Sequence, residues 1–294
     1  MKLPSGPTYY RGNRGRGIFA SGSEPNSVRN IDFINIASTG NATAWGEVLG
    51  SGMSLAGGAS NNIRGVYTGG FEGAPTNNRI NTIQALNIPT NGDIFDFGDL
   101  TYTSQQMSGA GNQTRGVYAN GYAYPLAPST DSLNMTYTMI EFMTSGNKTD
   151  FGDIIGNAAC RDLATVETEI RGYFAGGEGT GQVPGTHNKN ITIKGFANGS
   201  ESLNFGELSA QGQDAHGCGS ETRGVYMGKF NSDAIEYITI ASEGDSIDFG
   251  DIGTSRNYGA SGSSSTRGLH FGGRTPSATN SIEYIQINTL GDSL

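Results

Sequence analysis

The residues from Ile235 to Ile252 read I-E-Y-I-T-I-A-S-E-G-D-S-I-D-F-G-D-I, and a run of small residues and an Arg-Gly pair at Arg267 follow them. Three landmarks stand out in this stretch. They are an apolar run that opens at Ile235, an aromatic-glycine pair at Phe249, and the arginine-glycine pair before the next apolar residues. All three recur along the chain. Self-similarity at a near-constant period is the sequence signature of repeat architectures, so the spacing of the landmarks decides the fold.

Six copies of the repeat are present, and one interval within them is constant. The aromatic-glycine pair follows the opening of the apolar run by 14 residues in each of the first five copies, whereas the interval from the arginine to the next opening varies between 12 and 22 residues. A unit of fixed length with one variable connection is typical of a repeated blade. The apolar runs open at Ile31, Ile83, Tyr137, Ile191, Ile235 and Ile282, and the aromatic-glycine pairs begin at Trp45, Phe97, Phe151, Phe205 and Phe249.

Each copy of the repeat predicts four short strands. The first is a run of Gly, Ala and Ser, the second begins at the Arg-Gly pair and often ends in Gly-Gly, the third is the apolar run, and the fourth ends in the aromatic-glycine pair. The pattern I-x-F-I-x-I of the third strand, as at Ile31, indicates burial on both faces. Turns with Gly and Asn or Asp separate the third and fourth strands. Such units are the blades of a β-propeller, and the Gly-rich strand fits the innermost position, where backbones approach closely.

The repeat resembles the kelch repeat. It shares Gly-Gly after the second strand and aromatic residues in the third and fourth strands, such as Phe33, Tyr237, Tyr284, Trp45 and Phe97. The fuller unit, R-G-V-Y-x-G-G followed by I-E-Y-I-T-I-A-S-x-G-x-x-x-D-F-G-D, is similar to the kelch-like propeller repeats of structural proteins in tailed bacteriophages, marine ones in particular. The resemblance covers nearly the whole chain. The copies that depart from Gly-Gly have Ser21-Gly22, Asn120-Gly121 and Gly228-Lys229 at that position.

This resemblance implies an all-β fold, with residues 1–294 forming one six-bladed, kelch-like β-propeller domain of four-stranded antiparallel blades. It also implies a non-enzymatic protein of the virion, as a capsid-fibre, decoration or tail-fibre module. The expected partners are other virion proteins and a glycan or protein of the host surface, and a second copy of the chain is a further candidate. Because propellers host many functions, two alternatives stay open. One is a glycan-binding or glycan-cleaving propeller, and the other is a cellular kelch-type interaction adaptor.

Composition and charge limit the classes of function. The formal net charge of −9 argues against a nucleic-acid partner, because phosphate binding needs a basic surface. An apolar content of 35% and 47 glycines suit strands and turns better than helices. The N-terminus lacks the apolar core of a signal peptide, and no run approaches membrane-spanning length. The two cysteines, Cys160 and Cys218, are too few for a disulfide scaffold.

Motifs for catalysis or metal binding occur as isolated fragments. The sequence D-F-G-D resembles a kinase metal motif, but it recurs in one register and no catalytic loop accompanies it, so it indicates a strand end. The three histidines lack the spacing of a metal site. The turn carboxylates could bind Ca²⁺, although each turn offers few obvious oxygens for a coordination number of six to eight. The sequence therefore predicts no catalytic residue, no cofactor and no metal. The D-F-G-D copies begin at Asp96, Asp150 and Asp248, and the turn carboxylates are Asp93, Asp245 and Asp292.

Six arginines begin the second strands and would lie near one end of the propeller. They could form a ring that captures an anion, or each guanidinium could bind turn carbonyls or a carboxylate of its own or a neighbouring blade. Recurrence in every blade favours the structural interpretation. These structural residues are Arg16, Arg64, Arg115, Arg171, Arg223 and Arg267.

The loops between the second and third strands vary in length and would project from one face of the disc. Recognition usually resides in such loops on a fixed scaffold, and exposed aromatic residues make good contacts with sugars and proteins. The alternative is that these rings pack over the blade edge. The candidate binding residues are Phe71, Tyr122, Tyr124, Pro125 and His187.

The sixth copy is incomplete at its fourth strand. Its apolar run opens at Ile282, so its aromatic-glycine pair would fall at position 296, whereas the sequence ends at Leu294. An open strand edge is a pairing liability, so we expect the N-terminal segment to cover it. This places Met1–Gly6 beside the third strand of the sixth blade and makes Thr8–Asn13 an inner strand. Both termini would then meet in one blade and close the ring.

Overall fold

The computed structural model describes residues 15–23, 27–75, 78–119, 121–124, 132–133, 136–154, 160–179 and 186–294. Throughout these ranges the regular elements are β-strands, and they contain no helix. All strand pairs are antiparallel. The prediction of an all-β protein made of antiparallel sheets is therefore confirmed.

The strands follow the sequence repeat. In the first two copies they are β1 (Arg16–Ser23), β2 (Ser27–Asn35), β3 (Thr43–Glu47), β4 (Met53–Ser54), β5 (Gly57–Ser60), β6 (Arg64–Thr68), β7 (Phe71–Glu72), β8 (Asn78–Arg79), β9 (Thr82–Asn87) and β10 (Phe95–Asp99). In the next two they are β11 (Thr103–Gln105), β12 (Ser108–Gly111), β13 (Arg115–Ala119), β14 (Tyr122–Tyr124), β15 (Ser132–Leu133), β16 (Thr136–Glu141), β17 (Thr149–Asp153), β18 (Cys160–Arg161), β19 (Ala164–Glu167), β20 (Arg171–Ala175), β21 (Glu178–Gly179), β22 (Thr186–His187), β23 (Asn190–Gly195) and β24 (Leu203–Glu207). In the last two they are β25 (His216–Gly219), β26 (Arg223–Met227), β27 (Ala234–Thr239), β28 (Ile247–Asp251), β29 (Ala260–Ser263), β30 (Arg267–Phe271) and β31 (Ile282–Gln286).

Each copy of the repeat forms one main sheet, which has the predicted four strands in copies 2 to 5 and three strands among the described residues of copies 1 and 6. Sheet 1 is β1-β2-β3, sheet 2 is β5-β6-β9-β10, sheet 3 is β12-β13-β16-β17, sheet 4 is β19-β20-β23-β24, sheet 5 is β25-β26-β27-β28 and sheet 6 is β29-β30-β31. The third strands are buried on both faces, as their sequence predicts. In β9, for example, the consecutive residues Ile83, Gln84, Ala85 and Leu86 are all buried.

The glycines of the first strands lie where neighbouring sheets approach each other. A Cβ on Gly109 in β12 would lie 2.5 Å from the carbonyl oxygen of Gly58 in sheet 2. A Cβ on Gly217 in β25 would lie 2.3 Å from the carbonyl oxygen of Thr165 in sheet 4. Neither distance leaves room for a side chain, so the backbones are packed against each other as the Gly-rich run predicts.

The glycine of each aromatic-glycine pair packs directly against a turn of the next sheet. A β-bulge lies beside Gly206 in sheet 4, and a Cβ there would be 2.1 Å from the carbonyl oxygen of Gly244, in the turn between the third and fourth strands of sheet 5. This contact, called the turn junction below, requires glycine because a side chain would displace the neighbouring backbone. The corresponding pairs are Gly46 with Gly92, Gly98 with Gly146, Gly152 with Gly199, and Gly250 with Gly291.

The residue after the turn glycine strengthens several of these junctions. In three of them its carboxylate oxygen accepts a hydrogen bond from a backbone N–H of the preceding sheet. The turn carboxylates that the sequence offers for Ca²⁺ are thus engaged in joining sheets. The bonds run from Glu47 N to Asp93 Oδ1 (3.1 Å), from Glu207 N to Asp245 Oδ1 (3.0 Å) and from Asp251 N to Asp292 Oδ1 (3.0 Å).

The repeated arginines join neighbouring sheets at a second point. Five of them donate a hydrogen bond from Nη1 to the carbonyl oxygen of the residue that follows the third strand of the next sheet. In four of these five the guanidinium also packs on aromatic rings of its own sheet, as where Arg223 Cζ lies 4.4 Å from the ring centroid of Tyr237, whereas Arg115 forms an ion pair with Glu141. The sixth, Arg171, is exposed. The bonds are Arg16 to Ile88 (3.0 Å), Arg64 to Phe142 (2.7 Å), Arg115 to Phe196 (2.8 Å), Arg223 to Ile287 (2.8 Å) and Arg267 to Ile36 (3.0 Å).

Sheet 6 contacts sheet 1. Arg267 of sheet 6 donates to the carbonyl of Ile36 beside sheet 1, and the rings of Phe19 and Phe271 lie 4.4 Å apart. These two rings belong to a hydrophobic cluster that combines residues of both sheets. The first and last copies of the repeat are therefore neighbours in space.

The outer edge of sheet 6 is paired at one residue by the end of the sequence. Tyr284 and Leu294 exchange two backbone hydrogen bonds, of 3.0 and 2.9 Å. Leu294 thereby takes the position that Ile247, the partner of Tyr237, holds in sheet 5. The predicted positions of Met1–Gly6 and Thr8–Asn13 lie outside the described residues, so the pairing of the N-terminus with sheet 6 stays a prediction.

Three small sheets extend main sheets 2, 3 and 4. They are β4-β7-β8, β11-β14-β15 and β18-β21-β22, and they are called the extension sheets below. Their strands continue the first, second and third strands of the main sheet beyond a bend. At the bend in the second strand of sheet 2, Gly69 and Gly70 have φ values of 59° and 117°, which favour glycine. The sequence predicts variable loops at this position, and the structure shows that part of each is a sheet.

Candidate functional site

Five residues in the left-handed backbone region occupy the same position in successive repeats. Each lies two residues before the first strand of its sheet, and in repeats 2 to 4 this is the bend that separates an extension sheet from its main sheet. A left-handed conformation is uncommon for residues other than glycine and costs free energy, so its recurrence marks a position of interest. The residues are Leu55 (φ 58°), Gln106 (φ 57°), Asp162 (φ 55°), Asp214 (φ 58°) and Tyr258 (φ 58°).

These five bends lie beside one another. The backbone N–H of Gln106 donates to the carbonyl oxygen of Leu55 (2.6 Å), and that of Asp162 donates to the carbonyl oxygen of Gln106 (3.2 Å). The charges of Asp162 and Asp214 act on each other and on the phenol of Tyr258. The five bends therefore lie together at the side of the main sheets that carries the extension sheets.

The centre of this group is a set of hydrogen-bonded charged and amide side chains. Arg161 donates from Nη1 to Gln106 Oε1 (3.0 Å) and from Nη2 to Glu178 Oε2 (2.7 Å). The side-chain amide of Gln106 donates to Asp162 Oδ2. Strand pairing brings Arg161 and Glu178 together, because Arg161 of β18 and Glu178 of β21 are direct partners in the extension sheet. We call Gln106, Arg161, Asp162, Glu178 and Asp214 the carboxyl cluster.

Asp214 is the most buried acid of the cluster. Its exposed fraction is 5%, and its Oδ2 atom has no hydrogen-bond partner among the residues described. Burial raises the pKa of Asp214, and the charge of Glu178 raises it further. Burial likewise raises the pKa of Asp162, and the charge of Asp214 adds to the effect. Arg161 opposes both shifts without cancelling them, so the two aspartates retain a proton to higher pH than free carboxylates do.

Two tyrosines border the carboxyl cluster. Tyr258 is 53% exposed, and the charges of Asp214, Asp162, Arg161 and Glu178 all act on its hydroxyl group, whose pKa is raised mainly by burial. The ring of Tyr122 lies between two guanidinium groups, with Arg79 Cζ at 4.5 Å and Arg161 Cζ at 5.3 Å from its centroid. Tyr122 thus links two extension sheets to the cluster through cation–π contacts.

Four of the five candidate binding residues predicted from sequence lie on the extension sheets, but only some of these four come together. Tyr122 reaches the carboxyl cluster through Arg161. Phe71 is half-buried in β7 and pairs with Arg79, the other neighbour of Tyr122. His187 lies apart from them, with its ring 6.3 Å from that of Phe230. Tyr124 belongs to β14, and Pro125 lies outside the described residues.

Sequence reasoning missed the carboxyl cluster. Its signal lies in the repeat itself, at the position two residues before each Gly-rich run. At that position the residue type changes from Leu55 through Gln106, Asp162 and Asp214 to Tyr258, while the landmarks on either side recur. A position that varies within a regular repeat indicates recognition, in the same way as a loop of varied length does. The partners Arg161 and Glu178 could not be found in this way, because their contact depends on an extension sheet.

Two histidines that are far apart in sequence also meet. The rings of His216 in sheet 5 and His270 in sheet 6 are 5.1 Å apart, and both residues are buried. Burial and the neighbouring guanidinium of Arg256 lower the pKa of His270 to about 4, so its ring is neutral at physiological pH. In the described ranges no group of three or more His, Cys, Asp or Glu residues is arranged to hold a metal ion. Both Cys160 and Cys218 are buried free thiols.

No helix in the described residues is long and apolar enough to cross a membrane. No family model and no curated protein matches the chain. Among solved structures, 297 chains match it. One of them, the structure of YjhT, is similar with a TM-score of 0.76 over 93% of this chain and 92% of that chain, at 12% sequence identity. At this level of identity the similarity concerns the fold alone.

Proposed function

We propose that the six main sheets are the blades of a closed, six-bladed, kelch-like β-propeller that forms one domain. The contact of sheet 6 with sheet 1 supports closure, because Arg267 makes with Ile36 the same bond that four other arginines make between successive sheets. The recurring turn junction supports the order of the blades. In a closed ring every main sheet has two neighbours, which removes the exposed faces of an open array.

The protein we propose is a non-enzymatic binding module whose contact surface is the side with the extension sheets. The observation that carries this proposal is that the three variable connections contain extension sheets, one of which presents Tyr122 to the carboxyl cluster, while Tyr258 borders the same cluster from the bend before sheet 6. Aromatic residues that are partly exposed and border polar groups are well suited to recognition. The main sheets, in contrast, use their repeated residues to hold each other.

We propose that this module is a component of the particle of a tailed bacteriophage. It would be part of a fibre or a decoration protein that docks on other virion proteins or on the host surface. Its support is the resemblance of the repeat R-G-V-Y-x-G-G and I-E-Y-I-T-I-A-S-x-G-x-x-x-D-F-G-D to repeats of phage structural proteins. The negative charge of the chain agrees with a protein partner better than with a nucleic-acid one.

The test is quantitative mass spectrometry of purified particles from a phage that encodes this chain. The proposal predicts a fixed copy number per particle that survives density-gradient purification and a wash in high salt. A chain that is found in infected cells but is absent from washed particles would contradict it.

A second candidate function is favoured by one observation, the pair of interacting acids Asp162 and Asp214. Many glycan-cleaving enzymes use a pair of carboxyl groups, one held protonated as the general acid and one ionised as the nucleophile or base. If the protein cleaves glycans, the purified chain should release reducing sugar from host surface polysaccharide, and Asp162→Asn should abolish that activity. If it only binds, the polysaccharide should remain intact.

A further inference from the structure

We infer that the carboxyl cluster and Tyr258 form a binding site for a protonated amine, with Asp162 and Asp214 accepting hydrogen bonds from the ammonium group and the ring of Tyr258 beside it. The ammonium could belong to a free organic amine or to a lysine side chain of a partner protein. The site is independent of the virion setting, since it depends only on these residues.

The first support is the charge balance of the cluster. Arg161 is committed to Glu178, with both Nε (3.2 Å) and Nη2 (2.7 Å) on the same carboxylate oxygen. Its remaining hydrogen bond goes to Gln106. Neither Asp162 nor Asp214 forms an ion pair with another described residue. Two carboxyl groups are thus left for one further cation.

The second and independent support is the Oδ2 atom of Asp214. Buried polar atoms in native proteins almost always have a hydrogen-bond partner, and an exception calls for an explanation. The Oδ2 atom of Asp214 has no hydrogen-bond partner among the described residues, although the exposed fraction of Asp214 is only 5%. The segment that carries Asp214 lies against the extension sheet of Glu178, since the backbone N–H of Gly177 donates to the carbonyl oxygen of Gly212 (2.8 Å). The charges of Glu178 and Arg161 act on the Asp214 carboxyl, to which the Gln213 side chain is also hydrogen-bonded. A donor bound in the cluster would satisfy this oxygen.

The third support is the accessibility of the site at Tyr258. This residue is more than half exposed, and the charges of Asp162, Asp214, Glu178 and Arg161 all act on its hydroxyl group. Tyrosine rings attract ammonium groups through the negative potential of their faces. Tyr258 therefore gives the site an exposed aromatic ring whose hydroxyl group interacts with the charges of both aspartates.

The chemistry of the site favours an ammonium group over other ligands. An anion would be repelled by Asp162, Asp214 and Glu178. A calcium ion needs six to eight oxygen ligands, and the described residues offer no cluster arranged for a metal. A neutral polyol could satisfy Asp214 Oδ2, but it carries no charge that would stabilise the ionised form of the two aspartates. An ammonium group supplies both the donors and the positive charge.

Binding should be linked to proton release. The groups that face Asp162 are Asp214, Arg161, Gln106 and Glu178, and those that face Asp214 also include Gln213. Because the two aspartates hold a proton more tightly than free carboxylates do, an ammonium that stabilises their ionised form displaces protons at neutral pH. Affinity for the amine should therefore rise from pH 6 to pH 8.

The experiment is isothermal titration calorimetry of the full chain with cadaverine, with a lysine derivative blocked at both backbone ends, and with pentanediol as the neutral isostere. We expect at least one of the two amines to bind and pentanediol not to bind. Binding of cadaverine would show that a free amine suffices, and binding of the blocked lysine alone would indicate a partner side chain. Titration in buffers with different ionisation enthalpies should show protons released on binding.

The matched variants are Asp214→Asn, which removes the buried carboxylate, and Glu243→Gln, which makes the same change of charge at an exposed turn residue. Asp214→Asn should weaken amine binding by about tenfold or more, equivalent to about 1.4 kcal/mol, whereas Glu243→Gln should leave it unchanged. Circular dichroism establishes that both variants are folded, and Asp162→Asn provides a second variant of the cluster. Three results would contradict the proposed site. They are equal amine binding by the wild type and both aspartate variants, binding of pentanediol as tight as that of the amines, and the lack of any amine binding.

Discussion

At the scale of single residues, the two kinds of recurring position behave in opposite ways. The repeated glycines and five of the six repeated arginines hold neighbouring sheets together through the contacts they make, as with Gly206 against Gly244. The bends before the first strands change from Leu55 to Asp214 and are not explained by packing. In Asp214 the protein retains a buried carboxyl group at a cost in stability, which is typical of residues kept for function.

Replacing Asp214 with Asn should stabilise the protein, and more so at high pH. The pKa of Asp214 is raised in the folded state, so the folded state binds more protons than the unfolded state over the interval between the two pKa values. Stability is therefore lost as pH rises through that interval, and Asn avoids this loss. Thermal melts should show a stabilisation of about 2 kcal/mol at pH 8 and much less at pH 4. An equal effect at both pH values would mean that the carboxyl is not held protonated by its surroundings.

At the scale of elements, the sequence predicts the strands of the main sheets and how they pack, but it does not predict the extension sheets. The order of the four strands, the burial of the third strand and the glycines of the first strand follow from local patterns, since side-chain periodicity and close backbone approach leave a direct trace in the sequence. The extension sheets were missed because their strands of two or three residues, such as β7 and β8, are too short to carry a periodicity. The carboxyl cluster depends on one of those sheets, so most of the candidate site was missed with it.

The turn junction between elements can be tested within sheet 4. A Cβ on Gly206 would overlap the backbone of Gly244 in sheet 5, whereas a Cβ on Gly195 has no atom within 4 Å. Gly206→Ala should therefore lower the free energy of unfolding by roughly 2 kcal/mol or more, because the turn of sheet 5 must move. Gly195→Ala should change it by less than about 0.5 kcal/mol. Chemical denaturation of both variants provides the measurement, and similar values for the two would show that the junction is not tightly packed.

At the scale of the whole molecule, the account depends on the junction of sheet 6 with sheet 1. The arginine bond and the turn junction recur between successive sheets, so a ring is the arrangement in which every main sheet is supported on both sides. The sequence predicts closure from the count of its repeats and from the incomplete sixth copy. It could not predict which side chains meet there, because Phe19 and Phe271 belong to opposite ends of the chain.

A double-mutant cycle on Phe19→Ala and Phe271→Ala tests this closure most directly. The two rings are 4.4 Å apart, and aromatic pairs in contact contribute about 0.5–1.5 kcal/mol beyond the area they bury. Urea denaturation of the wild type, both single variants and the double variant gives the coupling energy. The account predicts a coupling of about 1 kcal/mol, within the range measured for such pairs. Strictly additive effects of the two substitutions would contradict the closed ring.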